Sequence, residues 1–277
     1  MAEITAAAVN ELRKKTGVSM MLCKEALVAS TGDEEKAIEY IRKKGIQTQG
    51  DRQNRETAFG RFGIYGGLDK KAGAIVELKC ESAPVAGSAE FIQLANDLAK
   101  QLATGPGAKT ADELLAQPSP SHPGKTLKDV KDDMFNRIRE VFNVGRIARL
   151  EGPTGGYCHN AGTVSGVLVL VEGGTDEAAK DVSMHIAAMR PLALNKDEID
   201  PAVVAKEREI LKEAALAEGK PANIVDKMVE GRLKNFYAAK VLLEQEFVRD
   251  NTLTVGKYAD SKGMKVKKFV HWELGKA

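Results

Sequence analysis

The chain has 277 residues, 43% of them hydrophobic, so it is long enough to bury one large core or several small ones. Its net charge is only +2 although 29% of its residues are charged, which argues against a general affinity for nucleic acid or membrane surfaces. Three widely spaced cysteines fit buried thiols in a reducing compartment better than a disulfide framework, so we expect a cytoplasmic protein without a membrane span.

Residues 1–45 are predicted to form a compact module of three helices, the last of which ends at Gly45. The start of each helix has a side chain suited to cap it: Thr5, Ser19 and Asp33. So small a module leaves little room for two large side chains in its first turn, so we expect Met20 or Met21, or both, to face a partner. The alternative is that both methionines fill the module's own core.

Residues 46–57 are polar and without periodicity, and are predicted to be a linker between the module and a core. The core opens with a strand at 59–65, a half-buried strand at 74–80 and an amphipathic helix that begins after Ser88. The segment 81–87 between the second strand and the helix contains a proline and a glycine. We therefore predict an exposed loop without regular structure there, a place where function often lies.

The order strand, strand, helix recurs later in the chain. Strands predicted at 145–150 and 164–171 precede a helix at 176–190. The repetition indicates a duplicated α+β core, with one subdomain at residues 58–142 and a second at residues 143–277.

Other segments complete the two subdomains. An amphipathic helix is predicted at 126–142, and the second subdomain closes with strands at 242–248 and 265–274 around a short helix at 255–261. These elements supply the remaining apolar faces that a packed core requires.

A helical hairpin at 201–240 is predicted to interrupt the second subdomain. Its arms, 201–217 and 222–240, are joined by a short connection that includes Lys220, so they must run antiparallel and could project as a coiled coil. The expected contacts place Val203, Ile210 and Ala214 of the first arm against Ile224, Met228 and Leu233 of the second.

The histidines and cysteines give little support to an enzyme. His159 follows Cys158 in a glycine-rich turn, yet neighbours in a turn point apart and no third orienting group is visible. His185 is interpreted as a packed or capping residue. No histidine pair has zinc spacing, and no phosphate loop or dinucleotide fingerprint occurs, so we expect no catalytic residue, metal or cofactor. A hydrolase built on the Cys158–His159 pair is kept as an alternative.

Several segments resemble one known family and occur in the same order as in its members. They are VNELRKKTGVSMMLCKEALVASTGDEEKAIEYIRKKG, VELKCES, ARLEG, HIAAMRP and the long GKPANIVDKMVEGRLKNFYAAKVLLEQEFVRD. All are similar to bacterial elongation factor Ts, the guanine-nucleotide exchange factor for elongation factor Tu. The resemblance spans essentially the whole chain.

The resemblance implies which residues meet a partner. The N-terminal module would be similar to a ubiquitin-associated domain and would dock on the nucleotide-binding domain of elongation factor Tu, while the core would also reach the C-terminal barrel domain. By position, the residues that match partner-contacting residues of the family are Arg13, Met20, Met21, Lys24 and His159.

The predicted exchange loop departs from the family pattern. Where the family has Thr-Asp-Phe-Val after Cys-Glu, this chain has Ser82, Ala83, Pro84 and Val85, so both the carboxylate and the aromatic ring are missing. We therefore expect a non-catalytic translation elongation factor that binds GDP-bound and nucleotide-free elongation factor Tu and promotes GDP release with reduced or rerouted efficiency. The alternative is a Tu-binding partner, for holding or folding, without exchange activity.

Overall fold

The described part of the chain has an α+β fold with a helical module, two three-stranded sheets with flanking helices, a short two-stranded sheet and a helical hairpin. The computed structural model describes residues 4–52, 54–219 and 221–276, with backbone only at residues 46, 222 and 223. The predicted hairpin residue Lys220, residue 53 of the predicted linker and the chain ends at 1–3 and 277 lie outside the described residues. No helix within the described ranges is long and apolar enough to cross a membrane.

The N-terminal half contains the helical module and the first sheet. In chain order its elements are α1 (Ala6–Thr16), α2 (Met20–Ala29), α3 (Glu34–Arg52), β1 (Phe59–Tyr65), β2 (Ala72–Cys80), α4 (Ala83–Ala86), α5 (Ala89–Thr104), α6 (Ala111–Leu115), α7 (Leu127–Ile138) and β3 (Asn143–Glu151).

The C-terminal half contains the second sheet and the hairpin. Its elements are β4 (Thr154–His159), β5 (Ser165–Gly173), α8 (Asp176–Met189), a 3₁₀ turn (Lys196–Glu198), α9 (Pro201–Ala217), α10 (Ala222–Lys240), a second 3₁₀ turn (Leu242–Glu244), β6 (Glu246–Phe247), β7 (Asp250–Thr254), α11 (Val255–Ser261) and β8 (Met264–Glu273).

The caps of the N-terminal module are those predicted from its sequence. The hydroxyl of Thr5 accepts a hydrogen bond from the Ala8 amide at 3.2 Å, and Asp33 accepts one from the Lys36 amide at 3.1 Å. The third helix does not end at Gly45, however, and the prediction that irregular chain follows this residue was wrong. Gly45 packs directly against Asn136, leaving no room for a side chain, and α3 continues along α7 to Arg52.

The first sheet has the order β1-β2-β3, with antiparallel pairing throughout. The strand predicted to open the second copy is β3, and that placement was wrong because β3 pairs with β2 and completes the first sheet. Gly145 and Arg146 of β3 lie opposite the single residue Glu77 of β2, which is a β-bulge. The outer limits of the predicted subdomains remain predictions.

Strand β2 is covered on both faces, whereas the sequence predicted a half-buried strand. Val76 and Leu78 pack under α5 and α7, as their alternation indicated. On the opposite face Ile75 packs against Leu168 of the second sheet, because the two sheets lie face to face. A strand between two layers is buried whatever side chains it carries.

Two predicted helix boundaries of the first half needed correction. The segment predicted to be irregular contains the one-turn helix α4, because Pro84 lies in its first turn, where no amide hydrogen is required. Helix α7 ends at Ile138 rather than at residue 142, since Arg139 adopts a left-handed conformation (φ 66°) and donates its amide to the Phe135 carbonyl. The predicted start of α5 is confirmed by the Ser88 cap.

The second sheet has the order β4-β5-β8. The predicted glycine-rich turn around His159 was wrong, because this segment is strand β4. Its glycines fit close contacts: a side chain at Gly155 would collide with Ala179 of α8, and one at Gly156 with Ile64 of β1. The glycines therefore reflect packing between layers rather than a turn.

The hairpin arms α9 and α10 have the predicted limits, but most of their predicted contact face was wrong. Leu233 is buried between the arms as predicted, together with Ala215 and Val225, whereas Val203, Ile210 and Ile224 are exposed. Two neighbouring apolar stripes run along α9, and helical periodicity alone cannot choose between them. The choice is made at the base of the hairpin, where Val204 packs against Ile199 and Val241.

The end of α8 also differs from prediction. Val182 and Ile186 are buried as expected, but Met189 is 44% exposed because it lies in the last turn of the helix. Arg190 follows in a left-handed conformation (φ 51°) and directs the chain away from the core.

His185 of α8 is fully buried in a hydrogen-bonded network, in agreement with its interpretation as a packed residue. Its Nε2 donates to Gln245 Oε1 at 2.9 Å, and its Nδ1 accepts the Val248 amide hydrogen at 3.1 Å. Gln245 in turn donates to the Ala239 carbonyl at 2.8 Å. This network holds residues 242–248 as a turn and a short strand outside the main sheet, so the core strand predicted there was wrong.

We expect the His185 network to make stability depend on pH. Burial lowers the pKa of His185 below its ordinary value of 6.5, so its contribution is complete above that value and is lost as the pH falls through the window below it. As the pH falls from 6.5 to 5.5 the free energy of unfolding should fall more steeply in the wild type than in His185→Gln, by up to about 1.4 kcal/mol per pH unit. Denaturant titrations at several pH values measure this.

The matched control is His122→Gln, because His122 is exposed in the loop before α7. This variant should keep the wild-type pH dependence. Equal pH dependence in the wild type and His185→Gln would contradict the role assigned to the buried imidazole.

Candidate functional site

The N-terminus of α2 presents Met20 and Met21 to solvent. Ser19 caps the helix by accepting the Leu22 amide at 3.3 Å, and this turns Leu22 and Cys23 into the module core. Met20 is 45% exposed and Met21 is 79% exposed, so the alternative that both methionines fill the core was wrong. Exposed methionines on a rigid helix start form an adaptable apolar surface.

Further exposed side chains extend this surface. Arg13 in the basic last turn of α1 and Lys24 of α2 are both exposed to solvent. Val28 is 58% exposed and lies seven residues after Met21, and therefore on the same face of α2. Sequence reasoning missed Val28, although its spacing from Met21 was the available signal.

The turn that precedes α2 is held against the core. Gly17 (φ 69°) lies against the side chain of Arg137 of α7, so a side chain at this position would collide with it. Arg137 forms an ion pair with Glu90 in the first turn of α5 at 2.7 Å. The turn that precedes α2 and its methionines therefore lies near the start of α5. Helix α5 directly follows α4 in the chain.

Helix α4, the predicted exchange loop, is fixed by hydrogen bonds at both ends. The Ser82 hydroxyl donates to Glu140 at 2.6 Å, and the Ser82 amide donates to the other oxygen of the same carboxylate at 3.1 Å. At the far end Arg61 donates to the Ala86 carbonyl at 3.2 Å. Ala83 and Pro84 are exposed on this rigid turn.

His159 lies exposed at the end of β4, where it borders a depression shared with Ala187 and Arg190 at the end of α8. Its Nδ1 is 3.1 Å from the hydroxyl of Tyr157. The next residue, Asn160, and Ala83 of α4 line one surface notch. The structure thus brings α4 and the β4–β5 turn to one side of the core, which also adjoins the turn before α2.

The geometry of Cys158 argues against a Cys–His hydrolase. Cys158 points between the two sheets and donates to the Phe62 carbonyl at 3.1 Å, whereas the next residue, His159, faces solvent. Burial raises the pKa of the Cys158 thiol to about 12, so the nucleophilic thiolate is strongly disfavoured. The adjacent pair cannot act together.

Within the ranges that the structure describes, no three histidine, cysteine, aspartate or glutamate residues are grouped as ligands of a metal ion. The surface described above is instead a set of exposed apolar and basic side chains on rigid elements, a combination suited to binding another protein.

Comparison with known proteins shows that this chain is similar to elongation factors Ts over almost its whole length. A family model described as Elongation factor TS matches residues 81–276. Elongation factor Ts of Methylococcus capsulatus is 44% identical over 275 residues, which is 98% of this chain and 92% of the relative. That of Pediococcus pentosaceus is 42% identical over 279 residues, covering 99% and 93%. That of Clostridium botulinum strain Eklund 17B is 40% identical over 286 residues, covering 98% and 93%.

Proposed function

Because this chain belongs to the elongation factor Ts family, we propose that it binds elongation factor Tu, in its GDP-bound and nucleotide-free forms, and accelerates the release of GDP. The observation that carries this proposal is the exposure of the start of α2, of α4 and of the β4–β5 turn on a chain of that family. The protein would act in the cytoplasm during translation, without a cofactor and without covalent chemistry of its own.

The proposed mechanism is thermodynamic linkage. A partner that binds the nucleotide-free GTPase more tightly than the GDP-bound form must weaken GDP binding by the same factor. A rigid factor that contacts the GTPase at two separated places can favour a strained, empty nucleotide site. GDP then leaves, and GTP later displaces the factor.

The N-terminal module would provide one of these contacts. Met20 and Met21 would bury their side chains in the nucleotide-binding domain of elongation factor Tu, and Arg13 and Lys24 would pair with acidic groups around them. The firm attachment of the module through Gly17 and α3 supports this role, because a rigid link transmits strain.

The core would provide the second contact through α4 and His159. The exposed residues of α4 are small or rigid, since Ala83 and Pro84 stand where the family pattern has a carboxylate and a ring. A buried aromatic wedge typically contributes roughly 2–4 kcal/mol at an interface. We therefore propose an exchange activity that is reduced or rerouted relative to family members with that wedge.

We expect this protein to accelerate the release of a fluorescent GDP from its cognate elongation factor Tu in stopped-flow measurements. The maximum rate at saturating factor should be lower than that produced by a family member with the Thr-Asp-Phe loop acting on the same Tu, because the wedge is missing. No acceleration at saturation would contradict the exchange activity.

A second candidate function is suggested by the same small side chains on α4. The chain could hold elongation factor Tu in a complex without speeding nucleotide release, as a holding or folding partner. Formation of a stable complex, with GDP release at the intrinsic rate, would favour this function over exchange.

A further inference from the structure

A shallow apolar notch of about 320 Å³ lies beside α4. One wall is α4 itself, with Ala83 and Ala86, and the opposite wall is formed by Val164 and Leu274 next to the β4–β5 turn. Phe59, the first residue of β1, completes the rim. The notch therefore opens between the two elements assigned to the core's part of the proposed interface.

Phe59 is the largest apolar side chain of this notch, and it is 45% exposed. Its position at the very start of β1 leaves the ring beyond the cover of α5, whereas Phe62 on the same strand is buried between the sheets. Large aromatic side chains exposed at the rim of an apolar depression are typical contact residues of protein interfaces.

The walls of the notch are rigid. Helix α4 is held by Glu140 at its start and by Arg61 at its end, and Ser88 donates its hydroxyl to the Val85 carbonyl at 2.8 Å. Gly60 allows β1 to approach β2 closely, because a side chain there would collide with the Leu78 carbonyl. A pre-formed depression costs little ordering entropy when a partner fills it.

The chemistry of the notch selects its occupant. Its lining is mostly aliphatic and aromatic, with Arg61 and Asn160 as its polar side chains and no carboxylate among the described residues that line it. The guanidinium of Arg61 already donates to the Ala86 carbonyl. An apolar side chain on a folded protein surface therefore fits the notch better than a charged group does.

We propose, building on the proposed function, that this notch is a socket for an apolar side chain of elongation factor Tu and that Phe59 is its main contact. The small residue Ala83 then has a positive role: it keeps the socket open. The core would bind its partner by accepting a side chain of the partner into the notch. Helix α4 would form one wall of the notch and would not insert a side chain of its own into the partner.

Two substitutions test the socket in the full-length protein. Phe59→Ala removes the main contact, and Ala83→Phe fills the depression from an exposed position that the fold can accommodate. Each should raise the dissociation constant of the complex with nucleotide-free elongation factor Tu by about tenfold, as measured by titration calorimetry. The thermal unfolding midpoint of Ala83→Phe should stay at the wild-type value.

Two control substitutions make changes of the same kind elsewhere. Val248→Ala shortens another half-exposed apolar side chain, and Ala116→Phe places a ring at an exposed site outside the notch; both should bind as the wild type does. If the wild type forms the complex but Ala83→Phe binds equally well or more tightly, the socket is refuted, even if Phe59→Ala folds poorly. A wild-type chain that forms no complex would overturn the proposed function together with the socket.

Discussion

Replacing Met20 and Met21 together with serine is expected to weaken the complex with elongation factor Tu by about a hundredfold, or roughly 2.7 kcal/mol. Both side chains are exposed at the start of α2, so the substitution removes apolar contact area for the partner without opening a cavity in the module. The loss should appear mainly as faster dissociation, because no long-range charge is altered. Surface plasmon resonance with immobilised elongation factor Tu measures both rates.

The control for this variant is Ile210→Ser. Ile210 is exposed to nearly the same extent as Met20, 49% against 45%, but lies on α9 of the hairpin, outside the proposed contact residues. It should bind as tightly as the wild type. Equal weakening by both variants would indicate a general loss of surface hydrophobicity, and unchanged binding of the double variant would remove the α2 contact from the proposal.

Replacing Arg146 with methionine is expected to lower the free energy of unfolding by about 3–5 kcal/mol. Arg146 binds Glu77 through two nitrogens, at 2.8 and 3.1 Å, and Glu77 is only 4% exposed. Without the guanidinium the carboxylate would stay buried with a single backbone donor, the Arg146 amide at 3.3 Å. Chemical denaturation of the two proteins gives the difference.

The double variant Glu77→Met/Arg146→Met sharpens this test. Removing both charges should restore much of the stability, because an apolar pair of similar size carries no desolvation cost. Arg208→Met provides the control, since its ion pair with Glu230 on the hairpin is half exposed and should contribute no more than about 1 kcal/mol. A similar loss in Arg208→Met and Arg146→Met would contradict the special cost assigned to the buried pair.

The Glu77–Arg146 pair also joins the two sheets. Arg146 donates to the Glu273 carbonyl of β8 at 2.7 Å and lies over the ring of Trp272, 5.2 Å from its centroid. The first sheet, which carries α4, is thereby fastened to the second sheet, which carries His159. For a factor proposed to strain its partner, this link would keep the core's contact points at a fixed separation.

Local sequence signals predicted much of the secondary structure. Thr5, Ser19 and Ser88 cap the helices they were expected to cap. Proline lies at the start of each hairpin arm, and Gly219 follows the end of the first arm. These signals are reliable because a capping hydroxyl and a constrained backbone act within a few residues of the chain. The sequence also predicted that Met20 or Met21 would be exposed, because the module is too small to bury both side chains.

The candidate site was only partly accessible from the sequence. The positions in α2, α4 and β4 came from resemblance to a family, and their role in binding a partner is still a prediction. Phe59 and Val28 escaped notice because an apolar residue in a strand or helix is usually buried, and only the packed structure shows which one lies beyond its cover.

The amino-acid sequence by itself determined where most helices begin, that residues 59–65, 74–80 and 165–171 are extended, and that an α+β core is duplicated in pattern, since these features depend on neighbouring residues. Tertiary structure alone decided that β3 pairs with β2, that Glu77 finds Arg146 across a bulge, and which stripe of α9 is buried. Each of these joins residues distant in sequence or selects between equivalent faces. A local sequence pattern cannot predict these pairings or the buried face, because they depend on which layers of the structure pack together.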